Sequence, residues 1–301
     1  MTFDFGRARK RRQTGLTSPF VKTSLPGMTD PSHSPMPPDP NEKQTLAKAD
    51  GQPSPSSGKG FLAQPWAAFV LPLAVFMLVG SIEPTPERPF ELMGWQIPYS
   101  SYPLVYAVKL ALTMAVMAQV GWRGYRQFPL RVTPWAPAVG VIGVVLWIGL
   151  AKLGLEERLL GPLGLGGFVA QGERAAFNPF EAWPEQAGLA WLFLGVRFWG
   201  LVVIVPVIEE FFLRGFLMRF VIAPDWWRVP FGTLTPLAIA VGTLVPVLMH
   251  PGEMLAAAVW FSMITGLMAM TRNIWDCVVA HATTNLLLGV YVVATGEWRF
   301  L

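Results

Sequence analysis

Two adjacent glutamates, Glu209 and Glu210, interrupt an otherwise apolar run, VVIVPVIEEFFLRGFLMRF. On a helix Glu210 and Arg214 are four residues apart and share a face, where they pair. Glu209 is turned about 100° away and points elsewhere. His250 ends a second apolar run, LAIAVGTLVPVLMH, and His281 and Asn285 lie one turn apart in a third, VVAHATTNLLLGVY. A carboxylate screened from bulk water becomes a better base, suited to taking a proton from water at neutral pH. A histidine beside it orients that water or hands a proton to a leaving amine. His281 and Asn285 can aim donors at one oxygen, as an oxyanion hole requires. Arg214 keeps Glu210 ionised and steadies its helix. Together these residues read as a general-base hydrolase with no protein nucleophile. Taken singly they have plainer readings: a structural ion pair for Glu210 and Arg214, a helix–helix hydrogen bond for each histidine. Three separate runs carrying such groups favour the joint one.

The elements that must hold these side chains are membrane helices. Of 301 residues, 52% are hydrophobic and 14% charged, with mean hydropathy +0.43. Soluble chains carry roughly 25% charge. Thirteen tryptophans and 28 prolines fit the same class, since Trp collects at bilayer interfaces and Pro is tolerated in spanning helices. The net charge of +4 forms no basic stripe, so nucleic acid is not an expected partner. The one cysteine, Cys277, rules out an intrachain disulfide and reads as a small buried apolar group.

A spanning helix needs about 20 mostly apolar residues. Candidates are 61–82, 98–120, 134–153, 189–211 running on to 220, 233–249, 254–270 and 274–294. The expected fold is all-α, a polytopic transmembrane bundle of about seven spans. Loop 81–97 is acidic, 121–132 basic, 154–187 acidic and 221–232 net basic once Arg214 and Arg219 are counted with it. That alternation suits a cytoplasmic N-terminus. Residues 1–60, opening on Arg7–Arg12 and rich in Pro, Ser and Gly, read as a disordered cytoplasmic tail. Residues 61–301 form the membrane domain, its motif core at about 187–295. No internal repeat of the transporter kind is found.

On these residues the chain resembles the CPBP family, the CAAX-protease and bacteriocin-processing membrane proteases. The family pattern is EExxxR, FxxxH and HxxxN or HxxxD on successive helices. EEFFLR (209–214) and HATTN (281–285) match in full. PVLMH keeps His250 but has Pro246 where the family has Phe. The C-terminal stretch LLLGVYVVATGEWRF and FNPFEAW in the long loop resemble the branch found with bacterial exosortase systems. The resemblance implies a CAAX-protease-like fold and a glutamic-type intramembrane endopeptidase. Glu209 and His250 would activate water, and His281 and Asn285 would stabilise the oxyanion, with Glu210 and Arg214 in support. It implies a membrane-associated peptide or protein substrate and, by that branch, exosortase-system proteins as partners in a bacterial inner membrane. No cofactor is expected. Zinc wants three or four ligands; Glu209, His250 and His281 offer three, but Asn285 is a poor fourth. The other classes consistent with the residues are a non-catalytic membrane scaffold of the same fold and a proton-coupled transporter.

Overall fold

The computed structural model describes residues 60–86, 89–92, 94–164 and 176–301. The expected tail, residues 1–60, lies outside them except for Gly60. Each of the seven apolar segments carries a helix: α1 Ala67–Gly80, α2 Tyr99–Gly121, α3 Trp135–Ala151, α4 Ala187–Phe220, α5 Pro236–Met249, α6 Met254–Thr271 and α7 Ile274–Thr295. Five stretches are long and apolar enough to cross a bilayer, those holding α2, α3, α4, α6 and α7. α1 and α5 have 14 residues each, about 21 Å at 1.5 Å per residue against a hydrocarbon core of about 30 Å. The chain is an integral membrane protein with an all-helical bundle. Its one described sheet is a small hairpin, Phe90–Leu92 paired antiparallel with Trp95–Ile97.

Local chemistry sets the helix ends nearest the motifs. α7 starts at Asn273, whose side chain accepts the Trp275 N–H at 3.1 Å, a cap that satisfies an orphan donor. It stops at Gly296 (φ 75°), a left-handed position that glycine adopts without strain. α5 opens on Thr235, which caps Ala238 N at 3.2 Å, with Pro236 at the first position. It ends at His250 because Pro251 follows; a residue before proline avoids the helical region, and His250 has φ −126° and ψ 59°.

α3 packs against α6 and α7, α5 against α6, and α1 against α2. The α3–α7 crossing is close because α3 presents glycines. A Cβ on Gly140 would lie 2.6 Å from the Ala280 carbonyl oxygen, and one on Gly143 would lie 2.6 Å from Trp260 Nε1. In their place run hydrogen bonds: Trp260 Nε1 donates to Thr284 Oγ1 (3.1 Å), which donates to the Gly140 carbonyl (2.9 Å). At the helix start, Thr133 donates from its N–H and hydroxyl to buried Asp276. Gly140→Ala is expected to cost about 1–3 kcal/mol of stability, the usual range for overpacking, read as a lower thermal midpoint in detergent. An unchanged midpoint would contradict the close crossing.

Candidate active site

A cavity of about 670 Å³ opens among these helices, within the 300–1,000 Å³ typical of ligand sites. Glu209 from α4, His250 from the end of α5, and His281 and Asn285 from α7 all line it. Glu210 and Arg214 are not among its lining residues; both are wholly buried behind it.

The two glutamates separate as a 100° helical step requires. Glu210 Oε2 accepts from Arg214 Nη1 at 2.5 Å, and Arg214 Nη2 donates to the Phe261 carbonyl at 3.1 Å. Glu210 Oε1 lies 3.0 Å from His281 Nδ1. With Arg214 holding Glu210 as an acceptor-only carboxylate, Nδ1 must carry the hydrogen. The chain Arg214–Glu210–His281 therefore fixes the imidazole's orientation and tautomer, as a carboxylate does for many functional histidines. His281 Nε2 is left toward Glu209, whose Oε2 is 3.9 Å away. Trp260 packs edge-on against the His281 ring at 4.6 Å, which limits its rotation.

His250 is set by a different device. In a continuing helix the Pro246 carbonyl would take the His250 N–H; here that N–H bonds Val247 O at 3.1 Å, and the Pro246 carbonyl sits 2.8 Å from His250 Nδ1. A carbonyl only accepts, so Nδ1 is the donor and Nε2 of the neutral ring is the basic nitrogen. Trp147 and Phe261 hold the ring at 5.5 and 5.7 Å between centroids. Pro246, the departure from the FxxxH pattern, thus supplies the oxygen that orients the histidine.

Asn285 has a partner that its motif gives no hint of. α4 widens into a π turn over Gly200–Ile204, where Val205 N–H reaches back five residues to the Gly200 carbonyl. The next donor in that register would be residue 206, a proline, which has none. The Leu201 carbonyl is therefore left over, and Asn285 Nδ2 donates to it at 2.9 Å. One amide hydrogen docks α7 onto α4; the other is not needed for that bond.

The same π turn shapes the cavity wall. Arg197, Leu201, Val205 and Glu209, four residues apart in sequence, all line the cavity. At 100° per residue, twelve residues of α-helix end about 120° from where they began. A turn with i→i+5 bonds holds more residues and takes up part of that drift. Arg197 and Lys109, both buried lining residues, are absent from the motif pattern. A charged residue inside an apolar helix is itself a functional signal, and that signal was available in the sequence for both.

Among the described residues no three His, Cys, Asp or Glu side chains gather as a metal ion would require; Glu209, His250 and His281 share the cavity without forming such a group. Residues 188–287 match the family model described as Type II CAAX prenyl endopeptidase Rce1-like. No curated protein and no solved structure matches the chain.

Proposed function

We propose, from a chain whose residues 188–287 belong to the CPBP family of CAAX endopeptidases, that a peptide bond is hydrolysed in its cavity by water activated between Glu209 and His250. The reading rests on one observation: Glu209, His250, His281 and Asn285, brought from three helices, line a single cavity. Glu209 takes a proton as the water oxygen attacks the scissile carbonyl. His250 accepts the water's second hydrogen on Nε2 and holds the oxygen in line. The tetrahedral oxyanion is met by His281, protonated on Nε2 as well as Nδ1, and by the second N–H of Asn285. Glu210 stabilises that imidazolium, as a carboxylate does for a catalytic histidine. On collapse the C–N bond breaks and the proton on Glu209 passes to the leaving amine.

The substrate is a membrane-associated peptide, since Glu209, His281 and Asn285 sit on helices long and apolar enough to cross a bilayer. The test is cleavage of an anchored synthetic peptide by the purified chain in liposomes, with products weighed by mass spectrometry. Two fragments whose masses sum to substrate plus one water are expected, and both should vanish in Glu209→Gln and in His250→Ala. Full activity in both variants would overturn the assignment of the base.

A further inference from the structure

The hairpin has two strands, β1 (Phe90–Leu92) and β2 (Trp95–Ile97), and it meets the cavity on one side only. Phe90 and Glu91 of β1 line the cavity together with Thr85 and Pro89, whereas no residue of β2 does. Among the described residues no other strand pairs with β1, so its outer edge is open. The register fixes which backbone groups that edge offers. Only two residues join the paired Leu92 and Trp95, so this pair closes the hairpin by exchanging both its bonds. Alternation along the ladder then makes Glu91 and Gln96 a non-hydrogen-bonded pair, the kind whose side chains lie closer. Their side chains do meet, the Gln96 amide donating to the Glu91 carboxylate. The Glu91 N–H and C=O therefore point away from β2. Pro89, just before the strand, has no N–H to offer, which keeps the open edge short.

The edge is held in place. Lys109 on α2 pairs at 2.6 Å with Glu83, in the segment leading into β1, and its ammonium lies over the Phe76 and Tyr106 rings at 4.3 and 4.7 Å. These residues line the cavity too, so the clamp ties the strand's approach to the cavity wall. A scissile carbonyl must be unwound from any helix before water can attack it. Inside a membrane protein the freed N–H and C=O groups of that segment need partners, and an open sheet edge supplies them to an extended peptide.

We propose that β1 is the substrate-docking edge: an extended segment of the peptide to be cleaved adds to it as a third strand, exchanging hydrogen bonds with the Glu91 N–H and C=O. This rests on the hydrolase reading for what enters the cavity, but not for the edge itself. The occupant follows from the place, since the edge borders the same cavity as Glu209 and His250.

The test uses the full chain in liposomes and one anchored, quenched fluorogenic peptide. Each amide outside the scissile bond is replaced in turn by an ester, which removes one N–H. In the wild type one position should lose about tenfold in kcat/KM, the scale of one main-chain bond left unmade, and mainly through KM. E91P removes the outward N–H and should lower kcat/KM for the all-amide peptide by a similar factor. Its thermal midpoint should be unchanged, because proline is tolerated where an edge N–H faces outward. Q96P makes the same change on β2, away from the cavity, and should cleave like the wild type. An ester scan flat to within about twofold, less than one hydrogen bond contributes, overturns the docking edge and leaves the hydrolase standing. Equal losses in E91P and Q96P also overturn it, since the hairpin's shape would then matter and not its edge. No cleavage by the wild type, with binding by fluorescence anisotropy still weakened at one ester position, overturns the hydrolase and leaves the edge. If E91P cleaves normally but turns a dimer into a monomer by light scattering, the edge pairs with a second copy and the proposal fails. Should E91P not fold, the ester scan decides.

Discussion

Arg214→Ala is expected to destabilise the protein by about 3–5 kcal/mol, the cost of breaking a buried ion pair from one side. Arg214 and Glu210 have no exposed side-chain surface, so water cannot replace the lost partner. Glu210 would keep only His281, at 3.0 Å, and the Phe261 carbonyl, which also accepts from Thr265 Oγ1, would lose one of its donors. Removing both charges with apolar side chains of similar volume is often neutral or better. The double variant Arg214→Met with Glu210→Leu should therefore recover most of the thermal midpoint while remaining inactive, because His281 then loses the hydrogen bond that fixes its tautomer. Thermal unfolding in detergent reads the first effect and the cleavage assay the second. A single variant within about 0.5 kcal/mol of wild type, the usual scatter of harmless surface changes, would show that the pair does not brace the fold.

Glu209→Gln should behave in the opposite way. Its side chain is 14% exposed and lines the cavity, and glutamine keeps its size. The fold should be unchanged, with the same thermal midpoint. Catalysis should fall by about 10²- to 10⁴-fold in kcat, the usual contribution of general acid–base chemistry, since an amide cannot take a proton from water. Single-turnover measurements separate this from a change in binding. A rate within tenfold of wild type would mean that the base lies elsewhere. Adjacent residues thus have opposite consequences, one on stability and one on rate, because a 100° step puts one into the core and the other onto the cavity.

That step was readable from the sequence, because the relation of Glu209, Glu210 and Arg214 is local and governed by helix geometry alone. The helical bundle was equally readable from hydropathy. The lengths of α1 and α5 were not: windows that run from 61 to 82 or 233 to 249 average in residues beyond the 14 that are helical in each. Glu83, counted as part of an acidic loop, is paired with Lys109 of α2, so a charge read as exposed is engaged inside. The grip of Glu210 on His281 joins residues 71 apart, and no periodicity reaches that far. Asn285 is different. Pro206 announces a missing donor, and a missing donor announces a spare carbonyl; only the partner across the helix interface could not be read. Arg197 was the visible clue passed over, a lone cation in an apolar run that the charge count assigned to no loop.

The wide turn at Gly200–Ile204 makes α4 a helix whose timing is deliberately off. Excising one residue there, Val202 for instance, would let the segment relax to ordinary α-helix, and the shortened rod would hold together at least as well. Everything beyond the cut would keep its facing, because eleven residues of plain helix between Arg197 and Glu209 end only about 20° from where they began. Were the turn to close with every residue still in place, the drift would be about 120° and the two side chains could no longer share a guest, so the wide turn is the joint at which α4 can give up a residue without twisting its wall.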